Sequence, residues 1–267
     1  MDRKIKLLAI DLDGTLLDDN YQCDLETREL LLRLQNEGVH VVFCTGRALE
    51  PTKKLAADLG MGSYLVSDNG AVVYHIPTKS AILIREISPQ SLNGIMEILE
   101  GTGAHIDATS LRTMYTVPHS EEIAEMYKKY MANPIVLERI RDLSDPILKV
   151  TLFAVPEQIT KIINSLPDKL QAYPVKCFQS GPTFIDVMHE ESTKGNTLHY
   201  LSHQLGISPQ QVMAIGNYYN DMDMIQFAGV GVAMENAPED VKKIANFVTS
   251  SNNNQGVKKA IETFMTH

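Results

Sequence analysis

LLAIDLDGTLL, residues 7–17, decides the fold. A short apolar run without polar alternation is what a strand buried on both faces of a parallel sheet requires. Gly14 marks the point where such a strand turns. Asp11 and Asp13 stand one alternation apart, which predicts that both carboxylates leave the strand end on the same side. Two carboxylates held that close repel each other unless a cation or a proton intervenes.

Outward from this stretch the chain keeps a strand–helix–strand rhythm. A helical pattern runs from about Asp24 to Gly38, the apolar run VHVVFC covers 39–44, and a second helical pattern runs from about Leu49 to Gly60. Gly38 and Gly60 stand where helix-ending residues belong. After YLVSDNGAVVY (64–74) the rhythm changes. ILIREI, AHIDAT, ILKVTLF and CFQSGPTFIDVM read as strands, mixed with helices near 89–100, 120–131 and 156–166. Several of these strands alternate polar with apolar residues, as an antiparallel sheet with one wetter face does. From Ser192 the first rhythm returns, with helices at 193–205, 220–228, 238–245 and 256–265 and strands VMAIG (212–216) and VGVAM (230–234). The pattern predicts an α/β fold, a Rossmann-like parallel sheet built from 1–80 and 188–267, interrupted by an inserted α+β domain at 81–187.

The 267 residues carry a net charge of −9, with Lys and Arg scattered rather than clustered. That balance argues against a nucleic-acid partner and for small-molecule chemistry. Cys23, Cys44 and Cys177 have no CxxC spacing and read as reduced core thiols. The N-terminal apolar run is too short for a signal or membrane segment, which makes the cytoplasm the expected location, with no membrane partner.

In an open parallel sheet, ligands gather at the carboxyl ends of the strands. One such end carries Asp11 and Asp13. The next, FCTGR, offers the Thr45 hydroxyl and the backbone N–H groups of a turn at Gly46 to an anion. A third, AIGNYYND, gathers Asn217, Asn220 and Asp221, with Asp223 two residues on as a helix-surface acid. Lys194 lies near a helix start, where exposed N–H groups also favour negative charge. Together these groups describe a site for a phosphoryl group and a divalent hard cation. Taken alone, Asn220 and Asp221 are equally an N-cap and first-turn acid.

DLDGTLL, CTGR, STKG and GNYYND, in this order and with a long insertion between the second and third, resemble the four motifs of the haloacid dehalogenase (HAD) superfamily. With SDNGA at 67–71, the chain is similar to the Cof-type phosphatases that carry the larger α/β cap. The resemblance implies that Asp11 is a nucleophile forming an aspartyl phosphate and that Asp13 is the acid and then the base. It implies that Thr45, Gly46, Lys194 and Asn220 hold the phosphoryl group, and that Mg²⁺ sits among Asp11, the Asp13 carbonyl, position 217 and Asp221. The implied activity is hydrolysis of small phosphorylated metabolites such as sugar phosphates, with 81–187 as the substrate-selecting cap.

One position departs from the pattern: the family supplies Asp where this chain has Asn217. An amide oxygen still ligates Mg²⁺ but brings no charge, so weaker metal binding is expected. That departure motivates an alternative, a catalytically impaired protein that binds a phosphorylated ligand. A phosphotransferase that passes the group to another sugar is the other. Within the inserted domain, Arg112, Tyr115 and Lys149 are candidate contacts to a leaving group. Cys44, despite its place beside Thr45, reads as core, and the histidines show no paired metal spacing.

Overall fold

The computed structural model describes residues 4–129, 133–140, 143 and 145–265. Their contacts divide into two compact units, Met1–Ile84 with Ser192–His267, and Arg85–Glu191.

The first unit starts with β1 (Leu7–Asp11), buried at every residue. It continues through α1 (Leu25–Asn36), β2 (His40–Cys44), α2 (Leu49–Leu59), β3 (Tyr64–Ser67), β4 (Val72–His75) and β5 (Ser80–Ile84). Asp24 caps α1 by accepting the Thr27 N–H at 2.9 Å. Gly60 ends α2 in the left-handed region, at φ 69°. The turn between β3 and β4 holds Asp68 and Asn69 at φ 49° and 52°, so the chain reverses there into an antiparallel hairpin.

The second unit begins with α3 (Pro89–Glu100), β6 (His105–Ser110), β7 (Met114–Thr116), α4 (Glu121–Lys129) and β8 (Ile135–Val136). It closes with β9 (Ile147–Phe153), α5 (Pro156–Leu170), β10 (Val175–Gly181) and β11 (Phe184–His189). Among the described residues its sheet runs in the order β10-β11-β9-β6-β7-β8 and is antiparallel except for the β7–β8 pair. Ile106, Ala108, Val150, Leu152, Ile185 and Val187 on one sheet face form a core with Leu92, Ile95, Met96 and Leu99 of α3 and Ile159, Ile162 and Leu166 of α5. The stretch CFQSGPTFIDVM, expected as one strand, is a hairpin: β10 and β11 reverse around Gly181–Thr183. Residues 130–131 of the helix expected at 120–131 lie outside the described residues.

The chain then returns to the first unit through α6 (Lys194–Gln204), β12 (Val212–Gly216), α7 (Met222–Phe227), β13 (Val230–Ala233), α8 (Glu239–Ile244), β14 (Phe247–Val248) and α9 (Gly256–Met265). Its sheet, among the described residues, has the order β14-β13-β12-β1-β2-β3-β4-β5. The pairs from β14 to β3 are parallel, and the β3–β4–β5 meander is antiparallel. Leu7, Ala9, Val42, Val66, Val212 and Ala214 bury one face of this sheet with Leu198, Leu201 and Met224. β1 lies at the centre between β2 and β12, so the carboxyl ends that carry Asp11, Thr45 and Asn217 are neighbours.

Candidate active site

Asp11 is the last residue of β1 and is 5% exposed. Its Oδ1 accepts from Lys194 Nζ at 2.7 Å, and the same Nζ donates to Asp221 Oδ1 at 2.6 Å. Lys194 opens α6 behind the Thr193 cap, which accepts the Asn196 N–H at 2.9 Å. A lysine at a helix start opposes the helix dipole, and here two buried carboxylates offset that cost. Burial works against the Lys194 charge, but Asp11 and Asp221 outweigh it and hold the ammonium protonated. Burial pushes the Asp11 carboxyl up to about 7, the nearby Asp221 charge adds to the rise, and Lys194 opposes it.

Asp221 is fully buried, and its oxygens are spoken for. Besides Lys194, it accepts the backbone N–H groups of Asn217 at 2.8 Å and Tyr218 at 3.0 Å. Asp221, expected to hold a metal directly or through its waters, anchors Lys194 and ties off the turn that follows β12. Gly216 is required there, because a Cβ on it would stand 2.5 Å from the Asp221 Cβ. Residues Tyr219–Asp221 form a 3₁₀ turn leading into α7, so this cluster does both structural and charge-pairing work. Asp223, expected on the helix surface, is instead half-buried where α7 crowds against Gly195.

Asp13 does not share Asp11's environment. β1 ends at Asp11, so strand alternation no longer governs residue 13, whose side chain is 44% exposed in the turn. Arg47 grips it with both arms of its guanidinium, Nε to Oδ2 at 2.7 Å and Nη2 to Oδ1 at 2.5 Å. That contact holds the Arg47 charge more firmly than usual. Arg47 also stacks over Tyr21, 5.7 Å from the ring centroid.

Thr45 follows β2 directly and is buried; its Oγ1 accepts the Arg47 N–H at 3.1 Å. Gly46 runs close to Asn69, whose Oδ1 would be 3.0 Å from a Cβ at that position. Asn220 Nδ2 donates to the same Asn69 oxygen at 2.9 Å. Asn69 thus links the end of β2 to the loop after β12. SDNGA contributed only to the family resemblance in the sequence, and the positive φ of Asn69 is what turns its side chain into this role.

Asn217 is half-buried beside β1. The inward end of its amide lies 3.1 Å from Thr15 Oγ1, 3.1 Å from Asp11 Oδ2 and 3.2 Å from the Asp13 carbonyl oxygen. Gly14, at φ 75°, lets the turn pass against the other end of that amide. Two residues sequence reasoning missed buttress the same turn. Asn236 Nδ2 donates to the Gly14 carbonyl at 2.9 Å, and Asn252 Nδ2 donates to the Leu17 carbonyl at 3.1 Å. The polar loop SNNNQG is therefore a support of the DLDGT turn, a role for which a single sequence offers no local signal.

Asp11, Asp13, Thr45, Gly46, Lys194, Asn217, Asn220 and Asp221 all belong to this one cluster of strand ends. In the second unit, Tyr115 donates to Asp145 Oδ2 at 2.7 Å and Lys149 lies 3.6 Å from Asp186 Oδ2, while Arg112 is exposed. Cys44 is buried and its thiol is pushed far up by burial, which suits a core residue.

A buried lysine thus lies between two aspartates at the carboxyl ends of a parallel sheet, beside an aspartate–arginine pair and the oxygens around the Asn217 amide. Residues 8–261 match the family model of haloacid dehalogenase-like hydrolases, and the chain belongs to that family. It is 34% identical to YxeH of Bacillus subtilis (strain 168), covering 96% of this chain and 97% of that protein. It is 30% identical to the 5-amino-6-(5-phospho-D-ribitylamino)uracil phosphatase YcsE of the same organism, covering 97% and 96%. Among solved structures, a haloacid dehalogenase-like hydrolase from Bacteroides thetaiotaomicron superposes with a TM-score of 0.85 at 28% identity, covering 97% of this chain and 99% of that one.

Proposed function

We propose that the chain is a Mg²⁺-dependent phosphatase of small phosphorylated metabolites that works through an aspartyl phosphate on Asp11. The observation that carries this reading is the buried contact between Asp11 and Lys194, 2.7 Å apart. It holds the Asp11 carboxylate against a fixed cation at the end of β1, oriented for attack on phosphorus. Asp11, Asp221 and Lys194 together bring a formal charge of −1 into a buried cluster. A phosphate dianion enters such a site only with further positive charge.

The residues present fit a hard divalent cation. The Asp11 carboxylate, the Asp13 carbonyl and the inward end of the Asn217 amide are spaced 3.1–3.2 Å apart where measured from Asn217. Neighbouring oxygens around an octahedral ion with bonds of about 2.0–2.1 Å are about 2.9 Å apart. These three would hold Mg²⁺, with the carbonyl of Asn217 inward. When bound, the ion neutralises phosphoryl oxygens and lets an anionic nucleophile approach them.

The Asp11 carboxylate attacks the phosphorus while Asp13, in the exposed turn, gives its proton to the leaving oxygen. Asp13 then takes a proton from the water that displaces Asp11 from phosphorus, which restores both carboxyl groups. Arg47 orients Asp13 as the carboxylate, and its two-armed grip opens when Asp13 is protonated to act as the acid. The Thr45 hydroxyl, the Gly46 N–H, the Asn220 amide and Lys194 hold the phosphoryl oxygens, so most of the work is positioning and electrostatics. The inserted unit is the substrate-selecting domain in this reading. The phospho-ribityl group in the name of YcsE supports a primary phosphate ester of a sugar or polyol as the substrate class.

The test is hydrolysis of p-nitrophenyl phosphate and a sugar-phosphate panel across a Mg²⁺ titration, by wild type and Asp11→Asn. Wild type is expected to turn over, to lose activity in EDTA and to regain it with Mg²⁺. Asp11→Asn is expected to lose on the order of 10³-fold or more. Full activity in Asp11→Asn sinks the mechanism. Asn217 favours one other reading, a phospho-ligand binder without turnover. It gains if wild type is inactive at every Mg²⁺ concentration while Asn217→Asp is active.

A further inference from the structure

We propose that the Asn217 amide stands in for the metal ion: without metal, its NH₂ group points inward and bridges the oxygens that a cation would bridge. Metal binding then requires the amide to turn over. This rests on the metal site proposed above.

The surroundings of the amide allow two orientations and make them unequal. With the carbonyl inward, Thr15 Oγ1 donates to it at 3.1 Å, but the same oxygen faces Asp11 Oδ2 and the Asp13 carbonyl, neither of which has a proton to give when Asp11 is ionised. The outward NH₂ then meets only donors. With the NH₂ inward, its two protons face three acceptors at 3.1–3.2 Å, and the outward carbonyl meets donors. Thr15 has a single hydroxyl proton. With the carbonyl inward it goes to Asn217, and with the NH₂ inward the Thr15 oxygen accepts instead and its proton turns away. The amide and the Thr15 hydroxyl therefore turn together.

Gly14 fixes the plane in which this happens, since a Cβ there would stand 2.5 Å from the outward amide atom. An aspartate at 217 has the same shape and no protons. It would place a second carboxylate against Asp11 Oδ2 and the Asp13 carbonyl, stable only with a cation between them. The amide thus trades metal affinity for a site that stays assembled without metal.

The test compares full-length wild type, Asn217→Asp and Asn217→Ala by thermal unfolding at pH 8 in EDTA and across a MgCl₂ titration, with calorimetric titration of Mg²⁺ alone. In EDTA, wild type is expected to melt at least ~2 °C above both variants. With Mg²⁺, Asn217→Asp is expected to gain more than wild type and to bind the ion ~10-fold or more tightly. In ¹⁵N spectra, the Asn217 side-chain NH₂ is expected to shift and lose protection from exchange when Mg²⁺ is added to wild type. The proposal is overturned if Asn217→Asp matches wild type in EDTA, or if the two gain equally from Mg²⁺. A protein set that shows the expected order in EDTA but no response to Mg²⁺ overturns the metal reading itself, and the stand-in with it.

Discussion

Lys194 is the residue on which the site's electrostatics turn. It is 1% exposed, and its charge is tolerated only because Asp11 and Asp221 both reach it. Removing one partner from a buried ionic group typically costs about 3–5 kcal/mol, because the remaining charges are left uncompensated. Lys194→Ala is therefore expected to lose stability of that order at pH 8, measured by urea unfolding, besides losing activity. Arg47 is different, since its partner Asp13 is in contact with solvent. Arg47→Lys keeps the charge but loses the two-armed grip. It is expected to lower kcat ~10-fold or more while leaving the melting temperature within about 1 °C, since a solvent-exposed pair contributes little to stability. Asn217 was readable as a departure from the family motif. The Arg47 contact was not, because CTGR suggests a backbone anion site and nothing in it pairs the arginine with residue 13.

At the scale of elements, the parallel strands were legible because their burial on both faces leaves an apolar run, as in β1 and β2. The helix ends were legible where a physical marker exists, Asp24 before α1 and Gly60 after α2. The hairpins were harder. In CFQSGPTFIDVM the alternation continues across the turn, so periodicity alone reads through Gly181 and Pro182, although that dipeptide marks a reversal. Close element contacts leave a sharper imprint than periodicity does. Gly195 in α6 lies against α7, where a Cβ would stand 2.6 Å from the Asp223 backbone carbon. Gly195→Ala is expected to force α6 from α7 and cost about 1–3 kcal/mol, the range for overpacking, with a matching loss of activity because Lys194 is its neighbour. Unfolding and kinetics on the same variant check both.

At the scale of the whole molecule, the two units have separate cores, and Arg85–Glu191 owns one built from a sheet face and two helices. The ion pair of Arg85 Nε with Glu191 Oε2, 3.4 Å apart, ties the two ends of that unit together. Residues 85–191 expressed alone are expected to unfold in one cooperative transition with near-native circular dichroism; a featureless melt counts against an independent core. Thiol chemistry gives a second global check. Burial pushes the Cys23 thiol up to about 12 and raises Cys44 and Cys177, which disfavours the reactive thiolate in all three. Slow modification by a maleimide in the native state, and fast modification of all three in denaturant, is the expected outcome. Among the described residues, no helix is long and apolar enough to cross a membrane.

The central claim is that Asp11 carries the phosphoryl group, and the most direct measurement is to trap it there. Rapid acid quench during turnover of a sugar phosphate with Mg²⁺, borohydride reduction and peptide mass spectrometry are expected to find homoserine at position 11 and nowhere else. Reduction at a different carboxylate, or full turnover with residue 11 never modified, would contradict the account.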